Sequence, residues 1–281
     1  MISVDVECWY QLVCRNLTGR LVPPSRSCVE LTKRVLSLLR EKSVKATFFV
    51  LGNVAEAFPE LVESIDAEGH EVASHGYTHT HLAKITPDEF REELDRSLHL
   101  LTRILGKPVL GFRAPEFSIV EKTTWALDIM AEYGLKYDSS IFPIRGSRYG
   151  IADFPRAPVF VETMGRSIIE APLSTIRLLG RNLPVAGGGY FRLLPYQAIR
   201  AAVKRVHSEG RPFLLYIHPY EFSEIRLDTR SFPRGFSRGS AIKMELKSNL
   251  FLKTVRGKLA RLLDEFRFSS IKEVLRDALG T

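Results

Sequence analysis

Seven short runs of β-branched and aromatic residues, separated by segments of helical period, constrain this chain more than any single residue does. The runs fall at 2–7, 45–51, 70–74, 109–113, 135–138, 167–171 and 212–218. Such alternation is the pattern of βα units around a parallel sheet. The helical segments carry their own punctuation. Ser27 and Glu30 can form a capping box ahead of Leu31, Val35 and Leu38, and Thr86, Pro87 and Glu89 open a helix whose Phe90, Leu94, Leu98 and Leu101 share one face. Gly69, Gly106, Gly134 and Gly210 stand where helices should stop. Seven such units fit either a doubly wound sheet or a closed barrel related to the eight-stranded type.

Composition narrows the classes. With 281 residues, 45% hydrophobic and 26% charged, the chain is not disordered and can bury a large core, as one barrel or as two domains. Lys and Arg outnumber Asp and Glu by 40 to 32, a formal charge of +8 that suits an anionic neighbour without choosing among nucleic acid, a membrane surface or a phosphorylated substrate. No helix-turn-helix, zinc-finger or aromatic RNA-binding signature is present, so nucleic acid is not the expected partner. A nucleotide-binding reading is equally weak: no GxGxxG follows the first strand, and Gly187-Gly188-Gly189 comes late and without that spacing.

Arg226, Arg230, Arg234, Arg238 and Lys243 collect in one stretch, read first as a solvated loop and second as an arm over the groove that meets a phosphorylated carrier or an acidic glycan. From 241 to 266, Met244, Leu250, Val255, Leu259, Leu262 and Phe266 read as one basic amphipathic helix packed on its own core, with peripheral membrane contact as the minor alternative. No run approaches the ~18 apolar residues of a membrane span, and the first residues lack a basic flank and a cleavage signal. Cys8, Cys14 and Cys28 are odd in number and lack CxxC spacing, which argues against a disulfide framework or zinc knuckle and makes a cytoplasmic location the simplest expectation. Cys8 lies close enough to Glu7 to be checked for metal contact. Oligomeric state leaves no mark in the sequence.

The carboxyl ends of the strands are where either architecture places an active site. Asp5 and Glu7, two residues apart on the first strand, share one face of an otherwise apolar run, an arrangement whose repulsion a cation would relieve. After the third strand, His75-Gly76-Tyr77-Thr78-His79 has i, i+4 metal-ligand spacing, although a solvated or capping pair is a common alternative. His81 reads as a loop residue. Arg113 ends the fourth strand in Arg113-Ala114-Pro115-Glu116-Phe117, and His218 ends the seventh in Leu215-Tyr216-Ile217-His218-Pro219. Pro115 and Pro219 end strand pairing just after each polar residue. Taken singly, Arg113 could be a salt-bridged core residue and His218 a satisfied buried histidine.

These residues together resemble the polysaccharide deacetylase family, the NodB-homology carbohydrate esterases, over nearly the whole chain. The family has paired acids in its first motif, H-[ST]-x-x-H in the second, R-x-P in the third and a late L-x-[IV]-H, in the order seen here. Ser3-Val4-Asp5-Val6-Glu7, Arg113-Ala114-Pro115-Glu116-Phe117-Ser118 and Phe266-Arg267-Phe268 are similar to the subgroup associated with exopolysaccharide gene clusters. The sequence departs from the family at Val6, which separates acids that are usually adjacent; at Gly76, in place of Ser or Thr; and at Glu116, where an aromatic often lines the groove. Its Trp-containing fourth motif is not evident, and Asp138 in Tyr137-Asp138-Ser139-Ser140 is the substitute.

The resemblance implies a distorted (β/α)7 barrel related to the TIM barrel, forming one catalytic domain over 1–281 with an extension of about 219–281 packed on it. It implies one divalent ion, zinc first, held by Glu7, His75 and His79. Asp5 would be the base and His218 the acid, with Arg113 orienting Asp5 and keeping it ionised and Asp138 orienting His218. Glu116, Phe117 and Tyr220 would line the substrate groove. The implied reaction is hydrolysis of the N-acetyl group of an amino sugar in a glycan. A small cyclic amide, as in allantoinase-like relatives, is the alternative substrate, and a catalytically silent glycan-binding module is the alternative class.

Overall fold

The computed structural model describes residues 1–280 apart from 147, 186 and 234. Its strands are β1 (Ile2–Val6), β2 (Thr47–Val50), β3 (Glu71–Ser74), β4 (Gly111–Phe112), β5 (Tyr137–Asp138), β6 (Val159–Glu162), β7 (Ser167–Glu170), β8 (Thr175–Leu178), β9 (Arg181–Pro184) and β10 (Leu215–Ile217). One curled sheet runs in the order β10-β1-β2-β3-β4-β5-β7-β6. All its pairings are parallel except β6 with β7. The seven strands expected from the sequence are thus the seven parallel ones, and the α/β barrel is of the distorted kind.

The distortion lies between β7 and β10, which are not joined by a ladder among the described residues. The antiparallel β8–β9 hairpin fills that gap. Ser174 accepts from Val185 N at 3.3 Å through its carbonyl and from Leu214 N at 2.7 Å through its hydroxyl. Gly188 N donates to the Tyr216 carbonyl at 3.1 Å. The glycine run at 187–189 belongs to this seam rather than to a phosphate loop: at Gly187 (φ 124°) an added Cβ would meet the Tyr216 carbonyl oxygen at 1.9 Å. No sequence signal marked β6, β8 or β9. Phe160 on β6 faces solvent at 56% exposure, and the hairpin turns on Leu179-Gly180 (φ 49° and 76°) instead of the stronger Asn-Gly signal.

The helices follow their signals unevenly. Thr86 and Glu89 form the expected capping box, Glu89 N donating to Thr86 Oγ1 at 3.2 Å and Thr86 N to Glu89 Oε2 at 2.7 Å, and the helix Pro87–Leu105 stops at left-handed Gly106. The box at Ser27 and Glu30 does not form. That helix already begins at Ser27, whose hydroxyl turns to the Ser25 hydroxyl at 2.6 Å. The single helix expected over 241–266 is two, Arg238–Asn249 and Val255–Glu265, because Leu250 turns extended and Phe251 left-handed (φ 54°). Only the second buries its predicted apolar face, at Val255, Leu259 and Leu262. The last residues return to the sheet, where Ile2 N donates to Ser269 O at 3.0 Å and Ile271 N to Thr47 Oγ1 at 2.8 Å. No helix among the described residues is long and apolar enough to cross a membrane.

Candidate metal centre and active site

Six of the predicted polar residues, Asp5, Glu7, His75, His79, Arg113 and His218, reach one site. β1 brings Asp5 and, just beyond it, Glu7; the turn after β3 brings His75 and His79; β4 leads into Arg113 and β10 into His218. Glu7 Oε1 lies 3.0 Å from His75 Nε2 and 2.9 Å from His79 Nε2. Donor atoms of Glu7, His75 and His79 all fall within 4.8 Å of one another, as do those of Asp5, Glu7 and His218, so Glu7 belongs to both groups. A tetrahedral ion with bonds of about 2.0–2.1 Å sets its donors roughly 3.3 Å apart, close to this spacing.

The hydrogen bonds of His75 strengthen the fit. Its Nδ1 lies 2.7 Å from the Arg113 carbonyl, which can only accept, so Nδ1 carries the proton and Nε2 presents a lone pair. That lone pair faces a carboxylate oxygen. A second proton or a cation has to lie between them, and two imidazoles with a carboxylate are a donor set that zinc and several other divalent ions accept. Glu7 is nearly fully buried, which disfavours its charge. The charges of His79 and His218 and hydrogen bonds from His75 and His79 outweigh burial and hold the carboxyl well below the usual range.

Asp5 and Arg113 form a buried ion pair, Arg113 Nη1 donating to Asp5 Oδ1 at 2.7 Å. The guanidinium is fully buried, and its other donors reach Ser3 Oγ at 2.7 Å, Ser139 O at 2.9 Å and Ser139 Oγ at 2.8 Å, while Phe49 lies beneath it at 4.1 Å. A buried charge pair this fully satisfied fixes the orientation of both members.

His218 stacks on Tyr220 with ring centroids 5.1 Å apart, and its Nε2 is 3.8 Å from Glu7 Oε2. Burial opposes its charge, but Glu7, Glu221 and Asp5 together push its pKa up to about 9. The acid nearest its Nδ1 is Glu221, which the sequence reading missed. Glu221 Oε2 accepts from His218 N at 2.9 Å and lies 3.5 Å from His218 Nδ1, while Oε1 sits 3.0 Å from buried Arg192 Nε. Glu221 follows His218 by three residues in a short turn, and that spacing was the available signal.

Asp138 does not contact His218. Its carboxylate accepts from Ser140 Oγ at 2.6 Å and Ser140 N at 3.1 Å and is paired with Glu170, and burial raises the pKa of both acids. Ser140 Oγ in turn accepts from Ala114 N at 2.7 Å, and Ser139 holds Arg113, so Asp138 acts on the site through this loop. Glu116 (φ 58°) spends its carboxylate on Arg148, 2.7 Å from Nε, rather than facing a groove. Phe117 is buried among Phe142, Tyr149 and Tyr216, behind Arg113 instead of on an open wall. His81 caps its own turn by accepting from Ala83 N at 3.2 Å.

Tyr220 does line a cavity, of about 800 Å³, that opens from Glu7. Trp9, Tyr10 and Phe232 line it too, and the sequence reading singled out none of them. Arg226 of the basic stretch reaches this cavity but faces Glu245 at 3.6 Å, and Arg230 is paired with Asp228 at 2.6 Å. Arg234 lies outside the described residues. The three cysteines are free and buried, and Cys8 Sγ accepts from Ser25 N at 3.2 Å instead of joining the group around Glu7.

Residues 23–137 match the polysaccharide deacetylase family, and residues 139–276 match a domain of unknown function (DUF3473). The boundary falls at β5, inside a sheet that continues through it. A peptidoglycan-N-acetylglucosamine deacetylase of Bacillus cereus is 39% identical over 101 residues, 36% of this chain and 37% of that protein. The chain spans roughly a third of the length of three of the relatives it matches, 37%, 36% and 32%. Among solved structures, a Mycobacterium smegmatis protein assigned to the polysaccharide deacetylases superposes with a TM-score of 0.65 at 21% identity, covering 98% of this chain and 88% of that one. An allantoinase superposes at 0.62 and 15% identity with the same coverage. Both likenesses are of fold.

Proposed function

Starting from a chain that carries a polysaccharide deacetylase domain over residues 23–137, we propose that it removes the acetyl group from an N-acetylated amino sugar of a glycan, in exopolysaccharide biosynthesis. The convergence of Glu7, His75 and His79, with Glu7 shared by the group that contains Asp5 and His218, carries this reading. A divalent ion such as zinc at Glu7, His75 and His79 would polarise the acetyl carbonyl and acidify a water. Asp5, held by Arg113, takes the proton from the attacking water. His218, with Glu221 beside its ring, gives its proton to the departing nitrogen as the C–N bond breaks. Acetate and a free sugar amine result. Trp9, Tyr10 and Tyr220 offer aromatic faces to the sugar rings beside the reacting amide.

Zinc-loaded protein given N-acetylglucosamine oligomers and a panel of acetylated glycans is expected to release acetate. Glycan binding without acetate release would favour a silent binding module; neither binding nor release on any glycan would end the proposal. A small cyclic amide is the second reading, on a fold that an allantoinase shares. Turnover of allantoin but of no glycan would select it.

A further inference from the structure

The hairpin that fills the barrel seam carries chemistry that the site does not use. Its turn reads Arg177-Leu178-Leu179-Gly180-Arg181, and Leu178 and Leu179 are 55% and 94% exposed. Side chains that large and that open at the tip of a two-stranded ribbon add nothing to its packing, and the arginines beside them make the tip cationic as well as apolar. Below it lies a cavity of about 610 Å³ lined by Arg145, Arg156, Arg177 and Arg181, with Asp153 the one acid on its wall. Arg156 is paired with Glu209 at 3.1 Å, whereas Arg145, Arg177 and Arg181 have no carboxylate partner among the described residues. Asn182, between β9 residues that line the cavity, donates to the Pro143 carbonyl at 2.8 Å and ties the hairpin to the wall. The cavity shares no lining residue with the one that opens from Glu7.

Unpaired guanidinium groups around a cavity suit a phosphate, whose oxygens match their forked geometry. Exposed leucines beside them suit the acyl boundary just below a layer of phosphates. We propose that the β8–β9 hairpin docks on an anionic lipid surface, Leu178 and Leu179 entering the interface while the arginine cavity takes the phosphate of a headgroup. The helix Arg238–Asn249 also exposes Ile242 and Leu246, at 50% and 61%, and the cavity at its end, lined by Asn249, Arg226 and Lys253, has one cation without a carboxylate partner among the described residues, Lys253, against three at the hairpin. It serves as the control surface. The inference is independent of the hydrolytic reading, because vesicle binding is measured without turnover.

Flotation of the full chain with phosphatidylcholine vesicles, with and without phosphatidylglycerol, tests it. Binding is expected only to the anionic vesicles and is expected to weaken with salt. Each arginine near such a surface is worth on the order of fivefold in partitioning, so Arg177→Glu with Arg181→Glu should lower binding by roughly 25-fold or more. Leu178→Ser with Leu179→Ser should lower it on the order of tenfold. Leu246→Ser should leave it unchanged. All these side chains are exposed, and an unaltered thermal transition will show that the variants fold. No vesicle binding, equal binding to neutral vesicles, or loss with Leu246→Ser alone would overturn the proposal. So would calorimetric binding of inorganic phosphate at the cavity without any vesicle binding, which would identify a site for a soluble phosphate.

Discussion

Two buried acids at strand ends, Asp5 on β1 and Asp138 on β5, sit on either side of Arg113 and do opposite things. Asp5 meets the guanidinium directly and lies beside the donor atoms of Glu7 and His218. Asp138 meets a second acid, Glu170, and burial pushes both toward the neutral form, with Glu170 held well above its usual range. The same side chain in equally dry surroundings is thus an ion-pair partner in one place and a brace beside a second acid in the other. The difference is the partner, a cation or another acid.

Arg113 is where that comparison breaks most easily. Arg113→Met leaves Asp5 buried without its counter-charge and should cost about 3–5 kcal/mol in urea unfolding, together with turnover. Unfolding within 1 kcal/mol of wild type, on the order of a surface substitution, would mean that the pair does not compensate Asp5. Asp5→Asn acts on chemistry and folding together. Turnover should fall roughly 10²–10⁴-fold by acetate release, and stability should fall by about 3–5 kcal/mol in the same unfolding assay, because Arg113 is left buried without its counter-charge.

Glu221→Gln tests the other proton-handling group at smaller effect. His218 should titrate near 9 in metal-free protein, by NMR of its imidazole, and lower in the variant, because a negative charge that favours the imidazolium is gone. An unchanged titration would mean that Glu221 does not favour the imidazolium. Glu170→Gln should have the mildest consequence. Folded Glu170 keeps its proton to higher pH than the unfolded chain does, so its contribution to stability is full below the unfolded carboxyl range and is lost as pH rises toward the folded value. The variant should flatten that decline between pH about 4.3 and neutrality, and a decline as steep as in wild type would place its source elsewhere.

The residues around Glu7 were legible because strand periodicity and strand-end position are local properties: Asp5 and Glu7 share a face, and a proline follows Arg113 after one residue and His218 directly. Orientation across the sheet was not. Asp138 stands at the right level of the sheet to serve His218, yet its carboxylate is claimed by Ser140 and Glu170, contacts that depend on how β5 and β7 pair. Glu221 was hidden by its closeness to His218, since a residue in the turn after a strand reads as solvent-facing. The β8–β9 hairpin escaped because its arginines and Leu-Gly turn give neither apolar alternation nor a strong turn signal. The break at Leu250-Phe251 escaped because neither residue interrupts a helical pattern.

The account stands or falls on Glu7 as the metal-binding acid and Asp5 as its metal-free neighbour. Zinc content per chain, measured on purified and dialysed wild-type, Asp5→Asn, Glu7→Ala and His75→Ala proteins, addresses this directly. One ion in wild type and in Asp5→Asn, with none in Glu7→Ala or His75→Ala, is the predicted result. An ion retained by Glu7→Ala and lost from Asp5→Asn would contradict it.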